Sequence, residues 1–263
     1  MGGTVRDPLL DFSGHRVLIT GAGSGFGALL AQALAERGAS LVLGDLQSAP
    51  LNALADSLRS QGASVVAQAG DVSSEATCRA LVDAAVEQFG GLDSAVNNAG
   101  IAHPFISFEH LDEATLDRQF AVNVKGVMFG MKYQIPAIRA QGGGAILNVS
   151  SMAGLGGAPK IGAYAAAKHA VIGLTRTAAV EQARHKLRIN AICPYYTHTP
   201  MVDEGDLSGT DRDAVQAMMA AGSPMKRLGQ PAEIVAVMLM LLSPANTFMT
   251  GQAVAVDGGV SAF

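Results

Sequence analysis

The chain has 263 residues, 49% apolar and 15% charged, with a net charge of -4, ample apolar material for the core of one α/β domain. A pI near 5.8 and the lack of any basic run argue against a nucleic-acid binder. Two distant cysteines (Cys78 and Cys193), no apolar leader, and a longest apolar run of only Ile234 to Leu242 argue against a disulfide scaffold, a secretory signal and a bilayer span of ~20 residues. The expectation is a soluble cytoplasmic protein with neither nucleic-acid nor membrane partners.

In chain order, short β-rich runs alternate with longer helical patterns. HRVLIT (15–20) precedes the helical GALLAQALAERG, SLVLGD (40–45) precedes APLNALADSLRSQG, and SVVAQAGD (64–71) precedes SEATCRALVDAAVEQFG. LDSAVNN (92–98) leads to a long helical region over 112–140, and GAILNVSS (144–151) leads to another over 161–185. LRINAIC (187–193) leads to one over 231–242, and QAVAVDGG (252–259) closes the series. These runs are continuous rather than alternating, as in strands buried on both faces. Gly38, Gly62 and Gly90 stand where three helices should stop.

Strand–helix–strand repetition means parallel strands joined by right-handed crossovers. The expected fold is a Rossmann-like, doubly wound parallel sheet of seven strands in three αβα layers. No shift in composition divides the chain, so residues 1–263 form a single expected domain. The stretch from Thr197 to Ser223 is rich in Met, Gly, Ala and Asp with weak periodicity. It is expected to be a mobile insertion over a substrate site.

TGAGSGFG, Thr20 to Gly27, follows the first strand and opens a helix. Gly21 suits the tight turn. Gly25 and Gly27 suit close approach to a pyrophosphate, whose charge the helix N-terminus favours. The second strand ends in Asp45, placed to accept hydrogen bonds from ribose hydroxyls and to repel a 2′-phosphate. Ala22, Gly23, Ser24, Leu46 and Gln47 add no cation nearby. This combination points to NAD rather than NADP.

YAAAK puts Tyr164 and Lys168 on one helical face. A phenol near pKa 10 is a poor base at neutral pH, and an adjacent ammonium should lower that value. The fifth strand ends at NVSS, with Ser151 thirteen residues before Tyr164. NNAG (97–100) ends the fourth strand, and the C-terminal strand ends of an open parallel sheet line the ligand crevice. Asn123 is a polar residue inside the apolar helical pattern FAVNVKGVMF. No histidine or cysteine spacing indicates a metal site; His103, His169 and His198 lack ligand spacing.

Over essentially its whole length, and in the combined TGxxxGxG, NNAG and Ser-x12-Tyr-xxx-Lys motifs, the chain resembles the short-chain dehydrogenase/reductases. The resemblance implies that Tyr164 exchanges the proton with the substrate oxygen and Ser151 hydrogen-bonds that oxygen. Lys168 would bind the nicotinamide ribose and tune Tyr164, and Asn123 would hold a water of the proton relay. It also implies cofactor contacts from Gly21, Ser24, Gly25, Phe26 and Gly27 in the turn, Asp45, and Asp71 with Val72 beside the adenine. Asn98 and Gly100 match the segment beside the nicotinamide-side ribose. Pro194, Thr197 and Thr199 match the segment that holds the carboxamide.

The same resemblance places the substrate wall in segments after the fourth, fifth and sixth strands. These supply His103, Phe105, Met152, Leu155, Pro159, Tyr195, Tyr196 and Met201, while Met218 and Met219 serve either as wall or as helix packing. Relatives carry glycine after the sixth-strand proline, where this chain has Tyr195, so its ring is expected to narrow the pocket. The implied substrate is an apolar secondary alcohol or its ketone, cyclic, aromatic or steroidal, and the implied assembly is a homotetramer. A 3-oxoacyl carrier-protein reductase and a non-catalytic NAD-binding module stay open as alternatives. Arg139, Arg184 and Lys186 keep the first of these in play, although Gly142 and His185 occupy the positions of its docking arginines.

Overall fold

The computed structural model describes residue 7, residues 9–204 and residues 212–262. Seven strands form the sheet: β1 (Arg16–Thr20), β2 (Ser40–Asp45), β3 (Val65–Ala69), β4 (Ser94–Asn97), β5 (Gly144–Val149), β6 (Leu187–Pro194) and β7 (Ala253–Val256). All neighbours pair in parallel, in the order β3-β2-β1-β4-β5-β6-β7. The helices are α1 (Gly25–Glu36), α2 (Ser48–Ser60), α3 (Glu75–Phe89), α4 (Glu113–Gln119), α5 (Gly126–Ala140), α6 (Gly162–Gln182), α7 (Pro200–Asp203), α8 (Arg212–Gly222) and α9 (Pro231–Leu242). The expected doubly wound, three-layer architecture is present.

Successive strand residues feed two separate cores, because side chains alternate across a sheet. Val17, Ile19, Leu41, Leu43, Val96 and Leu147 pack with α1, α2 and α9 through residues such as Leu30, Leu34, Leu51 and Met238. Leu18, Val42, Ala95, Ile146 and Ile189 face the opposite way, against Leu81, Val127, Ile138 and Val171 of α3, α5 and α6. Two covered faces explain why the strands are continuous apolar runs.

The sheet interior also carries a polar ladder. Asn97 and Asn148 are register partners on β4 and β5, and Asn97 Nδ2 donates to Asn148 Oδ1 at 2.8 Å. Asn97 exchanges amide hydrogen bonds with Gln134 of α5 at 3.0 and 2.8 Å. Asn148 Nδ2 donates to Thr175 Oγ1 of α6 at 2.9 Å. Every member is buried, and their mutual pairing offsets the desolvation of amides in an apolar layer.

Two expectations change. The helical region over 112–140 is divided: α4 starts at the cap Asp112, which accepts from Thr115 N, and a π-helical turn, Phe120–Lys125, joins it to α5. The Thr197–Ser223 stretch, expected to be irregular, contains α7 and α8; its residues 205–211 lie outside the described residues. α8 shows little periodicity in sequence because only Val215 and Met219, one helical turn apart, are buried.

α9 ends without a glycine, and its last carbonyls are instead met by a buried arginine. Arg188 of β6 donates to Leu241 O at 2.9 Å, to Ser243 O at 3.2 Å and to Met249 O at 3.4 Å. Burial lowers its pKa, yet the guanidinium keeps its charge and serves the negative end of the helix. Arg188→Leu should therefore leave Leu241 O unpaired, since Ser243 O keeps Asn246 N and Met249 O keeps Asn190 Nδ2, and cost roughly 1–3 kcal/mol in urea unfolding. Wild-type stability in that variant would show that this carbonyl finds another donor.

Candidate active site

The order of strands reverses between β1 and β4, since the chain winds outward from β1 to β3 and then returns beside β1. Crossovers leave in opposite directions there, which opens a crevice at the C-terminal strand ends. The turn from β1 to α1 forms one wall. Gly25 has φ +54, a left-handed conformation, and a Cβ on Gly27 would collide with the carbonyl oxygen of Gly21. Ser24, the N-cap of α1, makes no side-chain cap bond, so its hydroxyl does not cover the first amides of the helix. Phe26 packs partly buried against the core beneath.

Asp45 ends β2 with both carboxylate oxygens already engaged, Oδ2 by Gly23 N at 2.8 Å and Oδ1 by Gln47 N at 2.8 Å. Each oxygen retains a second acceptor site. Asp71 closes a local turn by accepting from Ser73 N at 2.8 Å, while Val72 is buried against Gly126. The Asn98 side chain turns inward rather than into the crevice, donating to Thr20 O at 3.0 Å and to Gly21 O at 2.9 Å. Thr20 Oγ1 accepts from Asn98 N and Ala99 N. Gly100 lies against Asn123 and Lys168: a Cβ there would stand 3.4 Å from Lys168 Nζ.

The residues expected to form the reaction centre come from the end of β5, the π turn and α6. Ser151 caps the short helical turn Met152–Gly154, accepting from Ala153 N at 3.1 Å. Tyr164 and Lys168 project from α6, with Lys168 Nζ 5.5 Å from the Tyr164 ring centroid. Lys168 is buried and donates to Val149 O at 2.8 Å. The expected lowering of the phenol is reversed. Burial pushes Tyr164 up to about 12, against a hydrogen bond with Ser151 that pulls it down. Burial also pulls Lys168 down to about 8. Desolvation exceeds the mutual attraction because the ammonium is turned to a carbonyl rather than to the phenol oxygen.

Asn123 is buried and pairs with the backbone of Ile101, its Oδ1 accepting from Ile101 N and its Nδ2 donating to Ile101 O, both at 2.9 Å. A second Nδ2 bond goes to Gln119 Oε1 at 2.7 Å. Its amide protons are thus committed to fixing the segment after β4, with one Oδ1 acceptor site left for the implied relay water. Sequence reasoning missed Ser150, whose hydroxyl donates to Lys168 O at 2.9 Å. It also missed Cys193, a buried thiol raised to about 11 by burial. The doubled serine of NVSS was the one available signal for the first.

After β6, Pro194 and Thr197 are buried, and the Thr197 hydroxyl donates to Tyr195 O at 2.8 Å. Thr199 donates weakly to Thr197 O at 3.3 Å, and its methyl faces Gly25 across the crevice. Of the expected substrate residues, Phe105 and Tyr196 join Val215, Met219 and Leu228 in one apolar cluster. Met152 is half-buried, whereas Leu155, Pro159, Met201 and Met218 are exposed. Met219 therefore contributes helix packing and Met218 faces solvent. His103 Nδ1 meets Pro104 O at 2.7 Å, and its buried Nε2 has no hydrogen-bond partner in the structure. Among the described residues no group of three His, Cys, Asp or Glu could hold a metal ion, and no helix is long and apolar enough to cross a membrane.

Residues 21–261 match the protein-family model described as enoyl-(acyl carrier protein) reductase. Cyclohexanol dehydrogenase of Acinetobacter sp. (strain SE19) is 40% identical over 247 residues, 94% of this chain and 95% of that protein. Cis-4-hydroxycyclohexanecarboxylate dehydrogenase of Sinomonas cyclohexanicum is 40% identical over 251 residues, 95% of this chain and 98% of that protein. The crystal structure of levodione reductase aligns with a TM-score of 0.92 at 38% identity, covering 95% of this chain and 99% of that one.

The depressed Lys168 has a measurable consequence. Unfolded, it keeps its proton up to the usual lysine value of 10.5; folded, it releases it near 8. Between these values the unfolded state binds more protons, so stability rises with pH through the window. Tyr164 acts in the opposite sense only above its ordinary value of 10. Relative to Lys168→Met, the cofactor-free wild type should gain about 2 kcal/mol from about pH 7 to about pH 9.5 in urea unfolding. A difference that stays constant with pH would show that the ammonium is not desolvated.

Proposed function

The chain belongs to the short-chain dehydrogenase/reductase family, and we propose that it is an NAD(H)-dependent oxidoreductase interconverting an apolar, cyclic secondary alcohol and its ketone. The observation that carries the reading is the half-buried Tyr164 phenol, kept protonated by desolvation with Ser151 drawing it down and Lys168 against its ring. Such a group is a proton donor aimed at one oxygen. The partly buried apolar side chains of Phe105 and Tyr196, backed by the packed Met219, suit a ring without charge. Relatives named for cyclohexanol and for hydroxycyclohexanecarboxylate support a six-membered ring.

The glycine turn fits a dinucleotide. Gly25 leaves clear the gap toward Thr199, and the side chain of Ser24 leaves the α1 amides uncapped, as a pyrophosphate needs. Asp45 keeps an acceptor site on each oxygen for the ribose hydroxyls and sets its charge against a 2′-phosphate. Asp71, Val72, Asn98, Gly100, Pro194, Thr197 and Thr199 would line the remainder of the cofactor's path. When bound, the nicotinamide supplies the hydride or accepts it.

In the reducing direction, Tyr164 transfers its proton to the substrate oxygen while Ser151 donates a hydrogen bond to the same atom. The phenolate left behind is stabilised by Lys168, which at neutral pH is still largely an ammonium and is steered by Val149 O. In the oxidising direction Tyr164 accepts the alcohol proton, which is easier as pH rises. Asn123 fixes Ile101 and, through it, the segment beside Lys168. We further infer a cytoplasmic homotetramer; the exposed apolar side chains of Leu116, Met128 and Val180 on α4, α5 and α6 support the assembly.

A reductase acting on acyl groups borne by an acidic carrier is a second reading with one observation in its favour. Arg139, Arg184, His185 and Lys186 line a surface concavity of about 590 Å³. Arg139 sits in the last turn of α5, and Arg184 and Lys186 follow the end of α6, where helix dipoles attract cations without any partner, so the cyclic alcohol stands first.

Assaying NADH formation over aliphatic, aromatic, cyclic and steroidal secondary alcohols tests the reading, with cyclohexanol-sized rings expected to react best. Silence toward all of them, with NAD still bound, would favour a regulatory module. Tyr164→Phe should reduce turnover roughly a thousandfold with NADH affinity little changed, and retained turnover would remove the proton-transfer role. Asp45→Ala should shift the preference toward NADP; unchanged discrimination would place that choice elsewhere.

A further inference from the structure

Tyr195 stands in the place where a glycine was expected, and its ring turns away from the cofactor turn. Its N–H donates to Val256 O at 3.1 Å, so the residue prolongs the β6–β7 ladder in ordinary strand-like pairing. The phenol donates to Met219 O of α8 at 3.1 Å. Its ring meets Tyr196 edge-on, with centroids 4.9 Å apart at 73°. On the far side the backbone of Gly222 closes on the hydroxyl so tightly that a Cβ there would fall 2.5 Å from the phenol oxygen.

α8 has further attachments, among them Lys226 Nζ, which donates to Ala221 O of its last turn at 2.9 Å. Val215 and Met219 are its buried residues, and Gln216 Nε2 donates to Asp203 Oδ1 of α7 at 3.1 Å. Those two apolar side chains pack with Leu228, with Phe105 of the segment after β4 and with Tyr196 of the segment after β6, so α8 lies over the strand ends where the crevice opens. The position of α8 thus bears on the room left over the crevice, and the Tyr195 phenol holds the last turn of α8 from the side of β6, as Lys226 holds it from beyond the helix end.

We propose that Tyr195 is a specificity-determining positioning residue, whose phenol pins the C-terminal turn of α8 against Tyr196 and so restricts the enzyme to small cyclic alcohols. The proposal rests on the alcohol–ketone reading. It differs from a pocket narrowed by the Tyr195 ring itself, because Tyr195 acts through the helix that it holds.

The test combines Tyr195→Phe, which keeps the ring and removes the hydroxyl, with Gly222→Ala, whose methyl displaces that hydroxyl. Hydrogen exchange of the 212–222 peptide and kcat/KM for cyclohexanol and for a decalin-sized secondary alcohol are measured in the full chain. In Tyr195→Phe, exchange should quicken and the large-to-small kcat/KM ratio should rise about tenfold, carried by KM of the larger alcohol. Gly222→Ala should act in the same direction. The double variant should be no worse than Gly222→Ala alone, because the atom that the methyl displaces is gone.

Unchanged exchange, an unchanged size ratio, or strictly additive effects would each overturn the proposal. Inactivity toward every alcohol would overturn the proposed function instead, while the exchange measurements would still decide whether Tyr195 holds α8.

Discussion

One side-chain amide holds the two halves of the crevice together. Asn98, just beyond β4, gives both Nδ2 protons to carbonyls of Thr20 and Gly21 at the end of β1, while Thr20 returns its hydroxyl to two amides of the β4 end. β1 and β4 are the strands between which the sheet changes direction, so no crossover helix covers this seam. Carbonyls in a tight glycine turn would otherwise need water, and water there would compete with a bound phosphate. The stitch fixes the glycine turn on one side and Gly100, beside Lys168, on the other. The proposed cofactor wall and the proposed proton donor are thereby set in one frame.

That frame accommodates two titratable groups made uneasy in opposite ways. Tyr164 is desolvated as a neutral phenol and Lys168 is buried as a cation whose proton is loosely held. In the resting site Lys168 meets only the face of the Tyr164 ring; its hydrogen bond goes to Val149 O, and Ser150 fixes the carbonyl of Lys168 itself. A pair poised this way has electrostatic attraction in reserve, which is realised only once charge develops on the phenol oxygen. Interactions that strengthen in the transition state raise turnover, whereas those already satisfied in the ground state do not.

Much of this was legible along the chain because it is local. A helix places Tyr164 and Lys168 on one face by spacing alone, and a glycine turn between strand and helix announces itself within eight residues. What stayed hidden depends on groups far apart in sequence. The Val149 carbonyl that turns Lys168 away from the phenol lies 19 residues back, so the lysine was expected to lower Tyr164, which burial instead raises. The π turn around Asn123 has no sequence signature of its own, and its amide finds Ile101 22 residues away. α8 was taken for an irregular insertion because two buried side chains make a poor pattern, and the bond from Tyr195 that holds it spans 24 residues. A proline followed by two tyrosines signalled that something was unusual, but only the folded chain shows what the first ring grips.

The ladder of Asn97 and Asn148 bears on how the chain reaches this state. Parallel strands pair only after long crossovers have closed, so β4 and β5 meet late and without a hairpin to set their alignment. A slip of one residue would present each amide to apolar neighbours on the opposite face, with nothing to bond. Hydrophobic contacts alone would tolerate such an error, because Ala95, Val96, Ile146 and Leu147 are interchangeable enough to pack in a shifted arrangement. The amides are not interchangeable. Only the native register gives them partners, so any other alignment of β4 and β5 carries the cost of buried, unpaired amides.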